Sequence, residues 1–97
     1  MNKIFTAKIN WLSGLQNTRK TIPWGDTYVP IIIIKGAAFS PDNDVWSLFV
    51  INKEKINDFE TIAEVKYFSD KAPDNLKKDV EFSLYEGSDL VAQGIIL

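Results

Sequence analysis

Eight residues come close to a nucleotide-binding loop. Gly14-Leu15-Gln16-Asn17-Thr18-Arg19-Lys20-Thr21 matches Gly-x-x-x-x-Gly-Lys-Thr at every defined position but one. The second glycine lets backbone N–H groups curl beneath a phosphate, and Arg19 stands in its place. Pro23 falls where the following helix would begin its run, and the stretch leads into a strand pattern. A loop without a nucleotide is therefore expected. The same loop holds Arg19, Lys20 and Trp24. Two cations beside an aromatic grip phosphate and stack a base, or they anchor a protein partner. The structural alternative is a Trp folded back over the core with a solvated basic edge. The chain carries 11 basic and 13 acidic residues, net −2. Phosphate binding draws most of its affinity from basic side chains, so this balance weighs against nucleic acid. Trp24, between Pro23 and Gly25, is the large loop side chain a binding function would use.

The remaining candidates for chemistry are weaker. Asp42-Asn43-Asp44 opens like a calcium loop, but the sixth position is Ser47 rather than Gly and the twelfth is Lys53 rather than Glu. A polar turn is the expectation. Glu60 and Glu64, and Glu86 and Asp89, show no shared apolar pocket that would push their pKa values apart. Lys77-Lys78 reads as a solvated loop edge. The chain has no His and no Cys. Ser-His and Cys-His nucleophiles are thereby excluded, as are zinc sites of the usual kind. The expectation is a non-enzyme with no cofactor and no metal.

These residues must be positioned by strands. Apolar content is 45% and charged content 25%, with three Trp, three Tyr and six Phe in 97 residues. That is ordinary for one globular domain over 1–97, large enough to bury a core without disulfides. The longest aliphatic run, Ile31 to Ile34, is too short to span a bilayer, and the start has no apolar run of signal-peptide length. A cytoplasmic location with no membrane partner is the expectation. Turn residues cut the chain into six short apolar runs: 3–12, 27–35, 45–51, 61–68, 80–85 and 90–97. In the first, Phe5, Ala7, Ile9 and Trp11 fall on one face and Thr6, Lys8 and Asn10 on the other. Ile31 to Ile34, all β-branched, predict a strand covered on both faces. Pro30 cannot donate to a ladder, which predicts an edge or a bulge there. Residues 52–58 read as a polar link, and 70–78 as a loop with one helical turn begun at Pro73. Glu86-Gly87-Ser88-Asp89 predicts a hairpin between the last two strands. No long helix is expected. Trp11 and Trp46 are expected in the core. The final apolar strand must be paired, and closure into a barrel achieves this.

Two stretches nearly repeat: Thr6-Ala7-Lys8-Ile9-Asn10-Trp11-Leu12-Ser13 and Ile62-Ala63-Glu64-Val65-Lys66-Tyr67-Phe68-Ser69. Both break at Ser followed by a turn residue. Their inward sets would be Ala7, Ile9, Trp11 and Ala63, Val65, Tyr67. Shared strand patterning accounts for the echo without a duplicated site.

Phe5-x-Ala7-x-Ile9-x-x-Leu12-Ser13, then Arg19-Lys20-Thr21, then Tyr28-x-Pro30, resembles the opening of the C-terminal, third domain of elongation factor Tu. Phe82-x-Leu84-x-Glu86-Gly87 and Val91-Ala92-x-Gly94-x-Ile96 resemble its end. The likeness runs over essentially the whole chain. It implies an all-β fold, a small closed antiparallel barrel of about six strands. It also implies partners of the kind that domain meets: a GTPase domain, tRNA and an exchange factor. Arg19 and Thr21 match the Arg-x-Thr of its loop, and Tyr28 and Pro30 the Tyr-x-Pro that follows. The Gly-Gly pair before the Arg is replaced by Asn17-Thr18, the Arg between Tyr and Pro by Val29, and the Pro after Thr21 is displaced to Pro23. The loop is thereby reshaped and one positive charge is lost. No GTPase domain lies within the 97 residues, so a freestanding, diverged barrel is expected. Its expected function is a non-catalytic binding module. It would engage a protein, a GTPase or translation component, through the 17–26 loop with Arg19, Lys20, Thr21, Trp24 and Tyr28. The alternatives are an RNA- or tRNA-binding translation accessory, and an inhibitor or immunity-type protein.

Overall fold

Alternation of side chains decides where the strands lie. The structure, a computed structural model, describes residues 3–12, 22–23, 28–35, 46–72 and 74–97. Six strands form: β1 Phe5–Trp11, β2 Ile31–Ile34, β3 Trp46–Lys55, β4 Glu60–Tyr67, β5 Glu81–Glu86 and β6 Asp89–Ile96. They close into one antiparallel barrel in the order β1-β4-β3-β2-β5-β6. No helix occurs among the described residues, and none is long and apolar enough to cross a membrane. The all-β, six-stranded barrel expected from the sequence is therefore present.

The two echoing stretches are neighbours. β1 and β4 run antiparallel with Ala7 opposite Ala63 and Phe5 opposite Val65. All six predicted inward residues, Ala7, Ile9, Trp11, Ala63, Val65 and Tyr67, are buried. Alanines at the facing positions suit a narrow barrel, where small side chains leave room for large ones such as Phe82, Leu48 and Leu84. Trp46 is only partly buried but packs against this core.

Two strand boundaries differ from the pattern, each for a physical reason. β2 begins at Ile31 rather than 27 because Pro30 interrupts its ladder with β3. Tyr28 and Val50 exchange both main-chain bonds, at 3.3 and 2.8 Å, while Leu48 N–H donates to Pro30 O at 2.9 Å. Pro30 has no N–H with which to return it. The predicted edge is not an edge, since β2 lies between β3 and β5. Nor is β2 covered on both faces. Ile32 is buried and Ile34 packs on the core, whereas Ile31 and Ile33 are half-exposed. β3 in turn runs on to Lys55, through residues read as a polar link. A register shift between Asn52 and Glu54 carries the ladder past the core. Lys53, Glu54 and Lys55 are exposed there, so no apolar alternation marks them as strand.

The β4–β5 connection forms turns and bends over its described residues, and Pro73 lies outside them. Leu76 is buried from this loop, and the Tyr67 hydroxyl donates to Asn75 Oδ1. The predicted β5–β6 hairpin is present, with Glu86 opposite Asp89. Gly87, the first central residue, has φ 61° and is the only glycine of positive φ among the described residues. Positive φ at that position alone makes a type II′ turn, whose twist matches the strands.

Candidate binding surfaces

The barrel end that receives the long loop contains the polar interior. Asn52 falls in phase with Leu48 and Val50 on β3, and Thr61 in phase with Ala63 and Val65 on β4; both are buried. With Trp11 of β1 they form a chain. Trp11 Nε1–H donates to Thr61 Oγ1 at 2.9 Å, Thr61 O–H to Asn52 Oδ1 at 2.6 Å, and Asn52 Nδ2–H to Pro23 O at 2.7 Å. Chemistry fixes its direction. An indole only donates, a carbonyl only accepts, and between them the hydroxyl and the amide each do both.

The chain ends on the backbone of the loop predicted to bind. The backbone leaves the barrel at Leu12, whose N–H donates to Val91 O at 2.9 Å. It is held again at Pro23 by Asn52, and at Tyr28 by Val50. Ile22 packs against the core beside Pro23. Of the expected site residues, Arg19, Lys20, Thr21 and Trp24 lie outside the described residues, as do the 14–21 near-match to a phosphate loop and the 42–44 turn. Tyr28 is described, and its ring is buried, 5.8 Å from that of Trp11 at 55°. The structure thus gives Tyr28 a place in the core against Trp11. Its outer edge, with Val29, Pro30, Ile31, Tyr85, Glu86 and Gly87, lines a cleft of about 550 Å³.

Sequence reasoning overlooked Asn52 and Thr61. The signal was available: period two places both inward, where a polar side chain requires a partner.

The titratable groups that depart from ordinary behaviour lie apart. A hydrogen bond from the Asn57 amide, with help from Lys8, holds the Glu60 carboxyl below its usual range. Burial pushes the Tyr67 phenol up, and its bond to Asn75 opposes this in part. Glu60 and Tyr67 stand at opposite ends of β4. Glu60 pairs with Lys8 at 3.1 Å and Glu64 with Lys53 at 3.6 Å, which gives both carboxylates structural partners. Among the described residues, no three acidic side chains converge on a common point where a metal ion could be held. No protein-family model, no curated protein and no solved structure matches the chain.

Proposed function

We propose that this barrel is a non-catalytic binding module whose partner is a protein, a GTPase or a translation component, engaged through the 17–26 loop. The observation that supports it is the buried chain from Trp11 through Thr61 and Asn52 to Pro23 O. Burying an amide and a hydroxyl is costly unless every bond is made. Here they hold the carbonyl of Pro23, a residue of the 17–26 stretch. A loop held at its return loses less entropy on binding.

The test is capture from native cytosol after ribonuclease treatment, followed by affinity measurement with the purified partner. Trp24→Ala should weaken binding by about 2 kcal/mol or more, a hot-spot loss. Unchanged affinity in a folded variant refutes the assignment, and a catch that vanishes with ribonuclease replaces the protein partner by RNA.

A further inference from the structure

A second surface lies on the outward side of β3, β4 and the bridged segment that precedes β2. Phe49 stands opposite Lys66 in the β3–β4 ladder, and Ile51 opposite Glu64. The bridge between Tyr28 and Val50 brings Val29 beside Phe49 on its other flank. Phe68 packs on Phe49 with ring centroids 5.0 Å apart. Val29 is 40%, Ile51 39% and Phe68 59% exposed, so these side chains form a continuous apolar strip on a solvent-facing sheet. Such strips on small proteins mark interaction sites.

Charge distinguishes this strip from an ordinary exposed patch. Lys66 Nζ lies 5.3 Å above the Phe49 ring, in the middle of it. The other strand lysines each meet a carboxylate: Lys8 with Glu60 at 3.1 Å, Lys53 with Glu64 at 3.6 Å and Lys55 with Asp58 at 3.3 Å. Lys66 forms no ion pair among the described residues, although the chain is net acidic. Glu64, its neighbour along β4, is already engaged by Lys53. Anything apolar laid over the strip would strip water from the ammonium, and that is costly unless it brings a negative charge with it.

We infer that this face docks a segment of another protein in which bulky apolar side chains flank a carboxylate, the carboxylate reaching Lys66. A second copy fits poorly, because a two-fold interface would set the same ammonium on both sides of one patch. The inference rests on the protein-binding reading but names residues outside the 17–26 stretch.

The test is selection of a random-sequence peptide library on the immobilised protein, then affinity measurement with a selected peptide. Enriched peptides should combine Leu, Phe or Trp with Asp or Glu. Lys66→Glu should lower affinity about tenfold or more and turn the selection toward Lys or Arg, and Phe68→Ser should also weaken binding. Both positions are solvent-facing, so the variants should keep the wild-type circular dichroism. Peptide selection needs no partner captured through the 17–26 loop, which separates failure of this inference from failure of the loop assignment. Peptides without acidic residues, or affinity indifferent to Lys66→Glu, would overturn it. So would a wild-type dimer in sedimentation that Phe68→Ser dissociates, since a second copy would then occupy the face.

Discussion

Replacing Thr61 by valine isolates the hydroxyl at the centre of the buried chain. Thr61 is fully buried, and valine keeps its shape, so no cavity opens. The hydroxyl accepts from Trp11 Nε1 at 2.9 Å and donates to Asn52 Oδ1 at 2.6 Å. Its loss orphans an indole N–H and an amide oxygen together. Each such group costs about 1–3 kcal/mol when buried, so Thr61→Val should cost roughly 3–4 kcal/mol. Small domains are stable by about 5–15 kcal/mol, and urea slopes run at about 1–3 kcal/mol per molar. The urea midpoint should therefore fall by roughly 1–4 M with an unchanged slope. Thr61→Ser is the matched control, keeping the hydroxyl and losing one methyl group, worth about 1 kcal/mol. If serine costs as much as valine, packing and not hydrogen bonding holds this position, and the argument for an anchored loop fails. A double-mutant cycle with Asn52→Ala should show coupling of about 1–2 kcal/mol through the shared bond; simple additivity would also refute it.

Gly94→Ala should be destabilising although alanine suits strands better than glycine. A Cβ there would overlap Cζ of the buried Phe82 and stand 2.7 Å from its Cε2. Overpacking of this kind costs about 1–3 kcal/mol, and a companion Phe82→Leu should return part of the lost melting temperature; a neutral Gly94→Ala would contradict the close approach. Glu60 makes stability depend on pH. Its folded-state pKa is depressed by Asn57 and Lys8, so its contribution is present above the unfolded value of about 4.3 and is lost as pH falls through the folded value. The stability gap between wild type and Glu60→Gln, measured by urea titration across that window, should shrink on acidification; a gap that widens would reverse the sign and disprove it.

Legibility in the sequence followed the strength of the local signal. β1 and β4 were readable because an inward set of Ala, Ile, Trp, Val and Tyr alternates without interruption, and every predicted member is buried. The β5–β6 hairpin was readable from its Glu-Gly-Ser-Asp turn. The far half of β3 was not, because Lys53 to Lys55 extend past the core and carry no alternation. β2 misled in the opposite direction: four isoleucines imply two covered faces, yet Ile31 and Ile33 face outward and half-exposed. Asn52 and Thr61 were passed over because they are polar, although their phase already placed them inside. The apolar strip around Phe49 was invisible for a different reason. It joins β3, β4 and the segment before β2, and only the register brings Val29, Phe49 and Lys66 into one row.

The segment just before β2 turns one residue inward and the next outward. Tyr28 turns inward, against Trp11, the first member of the chain that holds Pro23. Val29 turns outward, onto the strip shared with Phe49. Period two requires this division, since neighbours in an extended segment face opposite ways. Pro30 then breaks the ladder, so the backbone here is held to β3 by the Tyr28–Val50 pair and by one bond from Leu48. Substituting Val29 should disturb only the strip, because its side chain has no place in the interior. Substituting Tyr28 by a smaller side chain should disturb the anchor, because its ring packs on Trp11, and leave the strip, because the main-chain pairing with Val50 survives the change.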